Sequence, residues 1–183
     1  MNDAARALLA HASAPPSADT VLFARLIGAR VEAGDTALLG LDRAALAALI
    51  EHHFPHAANA PEAPRLIFPT PHHAFVRRLH GLLMWHDRTA TRAWHDAHCL
   101  ATIISAATLR PDHLWRDLGL DGRDDVTDML QRHYPTLVAR NTANLRWKKF
   151  LAQEVACAEG VAPTCAPGCP GCEDYAFCYP QQS

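Results

Sequence analysis

The sequence has little of several things that would decide its class at once. It has no long apolar run: the longest, Leu100 to Leu109, is about half a membrane span and carries Thr102, Ser105 and Thr108. A membrane-spanning protein is therefore not expected. It has little net charge, −2 with 20% charged residues, so there is no electrostatic case for nucleic acid or an anionic membrane. It has no glycine-rich phosphate loop and no H-E-x-x-H run, and "APGCPGC" lacks the Lys-Ser/Thr of a nucleotide loop. No Ser/His/Asp set at a telling spacing argues for hydrolysis. No segment alternates with period two, which removes the main signal for a sheet. The N-terminal "MNDAARALLAHASAPPSADT" has no basic n-region and only a short apolar stretch, broken by Arg6 and His11. It does not read as a secretory signal, and a cytoplasmic location is expected.

What remains is helical periodicity. At 183 residues the chain suggests one domain with a sizeable core. Helices are expected over 18–34, with Val21, Leu22, Leu26 and Ile27 on one face and a stop at Gly34, and over 42–54, capped by Asp42 and ended by Pro55. The stretch 55–64 reads as a linker, and "LIF" at 66–68 is too short for a strand. Further helices are expected over 71–86, with Phe75, Leu79, Leu82 and Leu83 inward, and over 91–109, apolar nearly all round and so central. A short helix ending at Gly119, one over 122–135 and a last one over 142–160, with Thr142 as cap and Gly160 as stop, complete the set. The fold class expected is all-α: a helical bundle over 1–160 and a cysteine-rich tail over 161–183 within the same domain.

The tail holds four of the six cysteines, Cys165, Cys169, Cys172 and Cys178, at C-x3-C-x2-C-x5-C. Four soft thiolates in one loop suit Zn(II) or an iron–sulfur cluster. A reducing cytosol argues against disulfides. All-thiolate zinc sites often use two C-x2-C knuckles set apart, and this loop has one. Pro163, Pro167, Gly168, Pro170 and Gly171 bend the backbone, and "EDYAFC" is expected to make a helical turn that brings Cys178 back. Spacing points strongly to a metal and leaves the metal open.

Other groups are candidates too. Arg146 and Lys149 share a helix face, either as a solvated cationic stripe or as a place to recruit an anion, while Trp147, Phe150 and Leu151 turn to the core. His95 and His98, three apart beside Cys99, have a ligand spacing that chance also produces among twelve histidines. Cys157 lies near the end of the last helix and could substitute for Cys165, although lone helical cysteines are more often small buried hydrophobes. His113 is expected either to cap or brace a helix or to contact metal, Asp117 to be a satisfied helix charge or else to orient His113 or Arg116 locally, and Trp115 and Trp147 to anchor the core.

Taken together, His113-Leu114-Trp115, Asp117-Leu118-Gly119-Leu120, Arg146-Trp147-Lys148-Lys149-Phe150 and the four cysteines resemble the NifQ family of nitrogen fixation. Weaker similarity reaches 38–55 and 94–109. The resemblance implies a carrier rather than an enzyme. Its Cys165, Cys169, Cys172 and Cys178 would hold an iron–sulfur cluster that takes up molybdenum for the iron–molybdenum cofactor of nitrogenase. It also implies partners: the nitrogenase cofactor-assembly scaffold proteins and an iron–sulfur cluster donor. One departure stands out: the family places four residues between the first two cysteines, and this chain has three. The other reading is a helical interaction or regulatory module with a structural four-cysteine zinc site.

Overall fold

A computed structural model describes residues 1–57 and 70–180. The linker expected at 55–64 falls outside the described residues from 58 on, as does 66–68. Among the described residues there are α-helices and short 3-10 turns and no strand. The all-α expectation holds.

The helices are α1 (Asp3–Leu9), α2 (Ala18–Glu32), α3 (Arg43–His53), α4 (Thr70–His86), α5 (Trp94–Ala107), α6 (Leu114–Leu118), α7 (Arg123–His133), α8 (Pro135–Val138), α9 (Trp147–Glu159) and α10 (Tyr175–Cys178). Their ends follow local chemistry. The Asp42 side chain accepts from Ala45 N at 2.8 Å and starts α3. Ser17 does the same for Thr20 N at 3.0 Å at the head of α2. Gly119 and Gly160 end α6 and α9 in the left-handed region, where a Cβ is strained.

Two boundaries differ from expectation. The sequence reading missed α1, which Asn2 caps by accepting from Ala5 N at 2.9 Å. It packs on α2 where Gly28 has no side chain: a Cβ there would sit 2.5 Å from Ala5 N. The last long helix begins at Trp147 and not at Thr142. Asn141 explains this, because its side chain accepts from Leu145 N at 2.8 Å and donates to Leu145 O at 3.0 Å, holding 141–145 as a closed turn.

The core is continuous through most of the chain. Its centre is α5, with Leu100, Ala101, Ile104 and Ala107 wholly buried. Leu79 and Leu83 of α4, Leu46 and Leu49 of α3, and Leu151 of α9 close around it. On α2, Phe23 is buried where Val21 is only half-buried, so the inward face is rotated slightly from the expected one. Each such aliphatic side chain contributes about 1.5–3 kcal/mol by leaving water. The core fixes two things next to the cysteine tail: the 108–113 connection from α5 to α6, and the first turn of α9.

Candidate metal centre

The cysteine tail is docked by backbone as much as by side chains. Gly168 N donates to Thr108 O at 3.0 Å. A Cβ on Gly168 would overlap the Arg110 carbonyl, and one on Gly171 would sit 2.5 Å from Pro111 Cβ. Glycine at both positions lets the C-A-P-G-C-P-G-C loop lie directly on the connection from α5 to α6. A 3-10 turn over Cys169–Gly171 then leads to α10, the helical turn expected from "EDYAFC".

The residues between Cys172 and Cys178 act as clamps. Glu173 receives Arg116 Nη1 at 2.9 Å. Asp174 receives Arg146 Nη2 at 3.0 Å and lies 3.4 Å from His113 Nε2. Lys149 Nζ donates to the Cys178 carbonyl and stands 5.0 Å from the Tyr179 ring centre. Arg146 and Lys149 thus both face the tail and are not a free solvated stripe. Arg146 is the N-cap of α9, and both tie the tail to it.

Cys169, Cys172 and Cys178 line one cavity together with His113, Arg146, Lys148 and Lys149, and Arg123 reaches the same space. Cys165 lies off the lining but packs in the small apolar cluster of Cys169, Ala166 and Tyr175. Burial pushes the Cys169 and Cys178 thiols up; Lys148 pulls the first back, and Lys149 with Arg146 the second. The cations so placed favour thiolate, the form that binds metal. The Tyr179 hydroxyl is buried with no hydrogen-bond partner, and burial beside Cys169 and Cys165 holds it well above its ordinary range.

Four thiols in one loop are a donor set for a zinc ion or an iron–sulfur cluster. Zinc–sulfur bonds of about 2.3 Å in a tetrahedron bring thiolates to about 3.8 Å from one another. Among the described residues, no three of the four sulfurs lie within 4.8 Å of each other.

Lys148 was missed in the sequence and is central here. Its ammonium is buried under the loop, paired with Asp117 and donating to Arg110 O at 2.7 Å. Arg110 Nε stands 3.4 Å from the other Asp117 oxygen. Asp117 is therefore a satisfied charge, as expected, paired with Lys148 and Arg110 and not orienting His113 or Arg116. The signal was present: Lys148 shares a helical face with Leu151, Ala152 and Val155. Trp147 is a core anchor as expected, but Trp115 is half-buried, with Arg116 4.8 Å over its ring.

The remaining candidates lie elsewhere. Neither His95, His98 nor Cys157 lines the cavity. His98 meets the His80 ring edge-on at 4.7 Å, and His95 lies 3.8 Å from Cys99 Sγ. Cys157 is exposed near the end of α9, against the expectation of a buried thiol, because its helix face turns away from the core. Cys99 of α5 is wholly buried instead, its thiol pushed up to about 12 by burial.

A family model described as NifQ matches residues 20–180. The chain belongs to the NifQ family. That places it among proteins of nitrogen fixation. It is 38% identical over 152 residues to a protein named NifQ homolog from Sinorhizobium fredii, covering 81% of this chain and 63% of that one. Protein NifQ of Rhodobacter capsulatus is 34% identical, over 79% of this chain and 77% of its own length. Protein NifQ of Azotobacter vinelandii is 32% identical, over 77% and 76% respectively. The aligned region thus spans less than two thirds of the first of these relatives. No solved structure matches the chain. Among the described residues, no helix is long and apolar enough to cross a membrane.

Proposed function

We propose that this NifQ-family chain is a carrier, not an enzyme, that holds an iron–sulfur cluster on Cys165, Cys169, Cys172 and Cys178 and delivers molybdenum to nitrogenase iron–molybdenum cofactor assembly. The observation that carries the reading is three thiols facing one cavity among Arg123, Arg146, Lys148 and Lys149. Molybdenum travels as molybdate, a hard dianion, and needs cations or N–H donors before sulfur. The cluster would supply the sulfur. The chain supplies thiolates for the cluster and positive charge for the anion. Arg123, Arg146 and Lys149 also border a second, adjoining recess that reaches Cys178 and Phe177, a path from solvent lined by cations.

Release is the other half of a carrier's task. A tail anchored on α5, α6 and α9 by two glycines and a few surface ion pairs is held weakly at its outer edge, since exposed pairs contribute about 0–1 kcal/mol each. Phe177 is 76% exposed on that edge and suits contact with an assembly scaffold or a cluster donor in the cytoplasm.

Replacing Cys169 or Cys172 with Ser tests the reading. Iron and acid-labile sulfide should be lost while the far-UV helical signal persists. Loss of the helical fold with the metal would favour the zinc-clasped module instead.

A further inference from the structure

We infer that the seam between the end of α3 and the start of α5 is a second metal site, in which His52, His53 and Asp96 bind a divalent first-row transition ion through two imidazole nitrogens and a carboxylate. It is built from residues outside the cysteine loop and does not rest on the carrier reading.

Adjacent residues on a helix do not face each other, yet these two histidines turn different ring nitrogens to one carboxylate. His52 Nδ1 is 3.1 Å from Asp96 Oδ1, and His53 Nε2 is 3.3 Å from Asp96 Oδ2. One donor atom from each of the three residues falls within 4.8 Å of the others. Metal–nitrogen and metal–oxygen bonds of about 2.0–2.2 Å place neighbouring donors roughly 3.0–3.5 Å apart. The two nitrogen–oxygen spacings, one to each Asp96 oxygen, lie in that interval.

A simple ion-paired bridge leaves one feature unexplained. His53 is only 5% exposed in its side chain, and its Nε2 is buried without a hydrogen-bond partner despite the carboxylate nearby. Its other nitrogen, Nδ1, is 3.0 Å from the Thr20 hydroxyl. In the tautomer whose Nδ1–H donates to Thr20, Nε2 turns a lone pair to Asp96. In that tautomer two acceptors face each other across a buried seam, and a cation held between them would satisfy both. A second-sphere partner that fixes the ring and the tautomer is what metal-binding histidines use. Phe23 packs against the same ring at 4.8 Å between centroids and limits its rotation.

The site is open on one side. His52 is 61% exposed, so solvent can complete the coordination. His95 Nδ1, 3.8 Å from Asp96 Oδ1, offers a further imidazole at the rim. Imidazole and carboxylate together suit zinc, iron(II), cobalt or nickel, in contrast to the all-thiolate tail.

Titration of the full chain with Co(II), kept from air, tests this. The cobalt spectrum separates the two kinds of site, because thiolate ligands add sulfur-to-cobalt charge transfer in the near ultraviolet. The expected result is a cobalt component with visible bands and no such charge transfer, over and above any cobalt held by the cysteine loop. His52→Ala, at an exposed position that should not affect folding, should weaken that binding at least about tenfold. Asp96→Asn should do the same. Cobalt taken up with thiolate charge transfer only, or bound by His52→Ala as by the unaltered protein, would overturn the assignment.

Discussion

Lys148 of α9 and Asp117 of α6 form a buried ion pair directly beneath the cysteine loop, with the Arg110 carbonyl as a third member 2.7 Å from the ammonium. Gly168 lies on that same Arg110 carbonyl. The platform under the candidate metal centre is thus electrostatic on one side and backbone on the other.

Breaking the pair should be costly. Lys148→Met leaves Asp117 buried with Arg110 alone, which should lower stability by about 3 kcal/mol. Urea unfolding of the single variant and of the Lys148→Met/Asp117→Leu double variant checks this. The double variant should recover most of the loss. Equal destabilisation of single and double variants would mean that the pair is not the relevant unit.

Gly168→Ala should disturb the tail without unfolding the bundle, because the added methyl meets backbone that cannot move aside. Metal content should fall and far-UV ellipticity should stay. Gly81→Ala is the control. It sits within α4 with nothing within 4 Å of a new Cβ, and should gain about 0.5–1 kcal/mol.

Acid should destabilise the fold in two steps. Burial lowers His80 and His86 from their ordinary 6.5, with His98 adding to the effect on His80. Their neutral forms are favoured by folding, so stability is full above about 6.5 and falls as pH drops and the unfolded chain takes up the protons. Asp19, held below its usual range by the hydrogen bond from His133, and Asp125, held down by Arg25, add a second loss. Their contribution is present above the ordinary carboxylate value of 3.8 and disappears as pH falls through it and below. Urea midpoints at pH 8, 6 and 3.5 should decrease in that order, and His80→Gln should flatten the first step.

Arg146→Ala should separate binding from folding. The Arg146–Asp174 pair is half-exposed, so stability should change by about 1 kcal/mol or less. Molybdenum recovered with the protein should fall severalfold. Unchanged molybdenum would remove Arg146 from the recruitment role.

The helices that carry the core were legible because their apolar residues repeat at helical spacing and their ends carry Asp42, Gly119 and Gly160. The tail was legible because its thiols are dense and interleaved with proline and glycine. Three features were not legible, each for a physical reason. The first is α1, short and weakly patterned, which depends on Gly28 for its seat. The second is the start of α9, set by the Asn141 bracket, a local hydrogen-bond pattern that competes with Thr142 capping. The third is the pairing of distant charges: that Asp117 would meet Lys148, or Asp96 the pair His52 and His53, is a property of helix packing and has no signal within either segment.

The most direct measurement of the central claim is metal and acid-labile sulfide content of protein purified without air from molybdate-fed cells, with its visible spectrum. Iron, sulfide and substoichiometric molybdenum with broad visible absorbance are predicted. One zinc per chain in the cysteine loop, with no sulfide and no colour, would contradict the account.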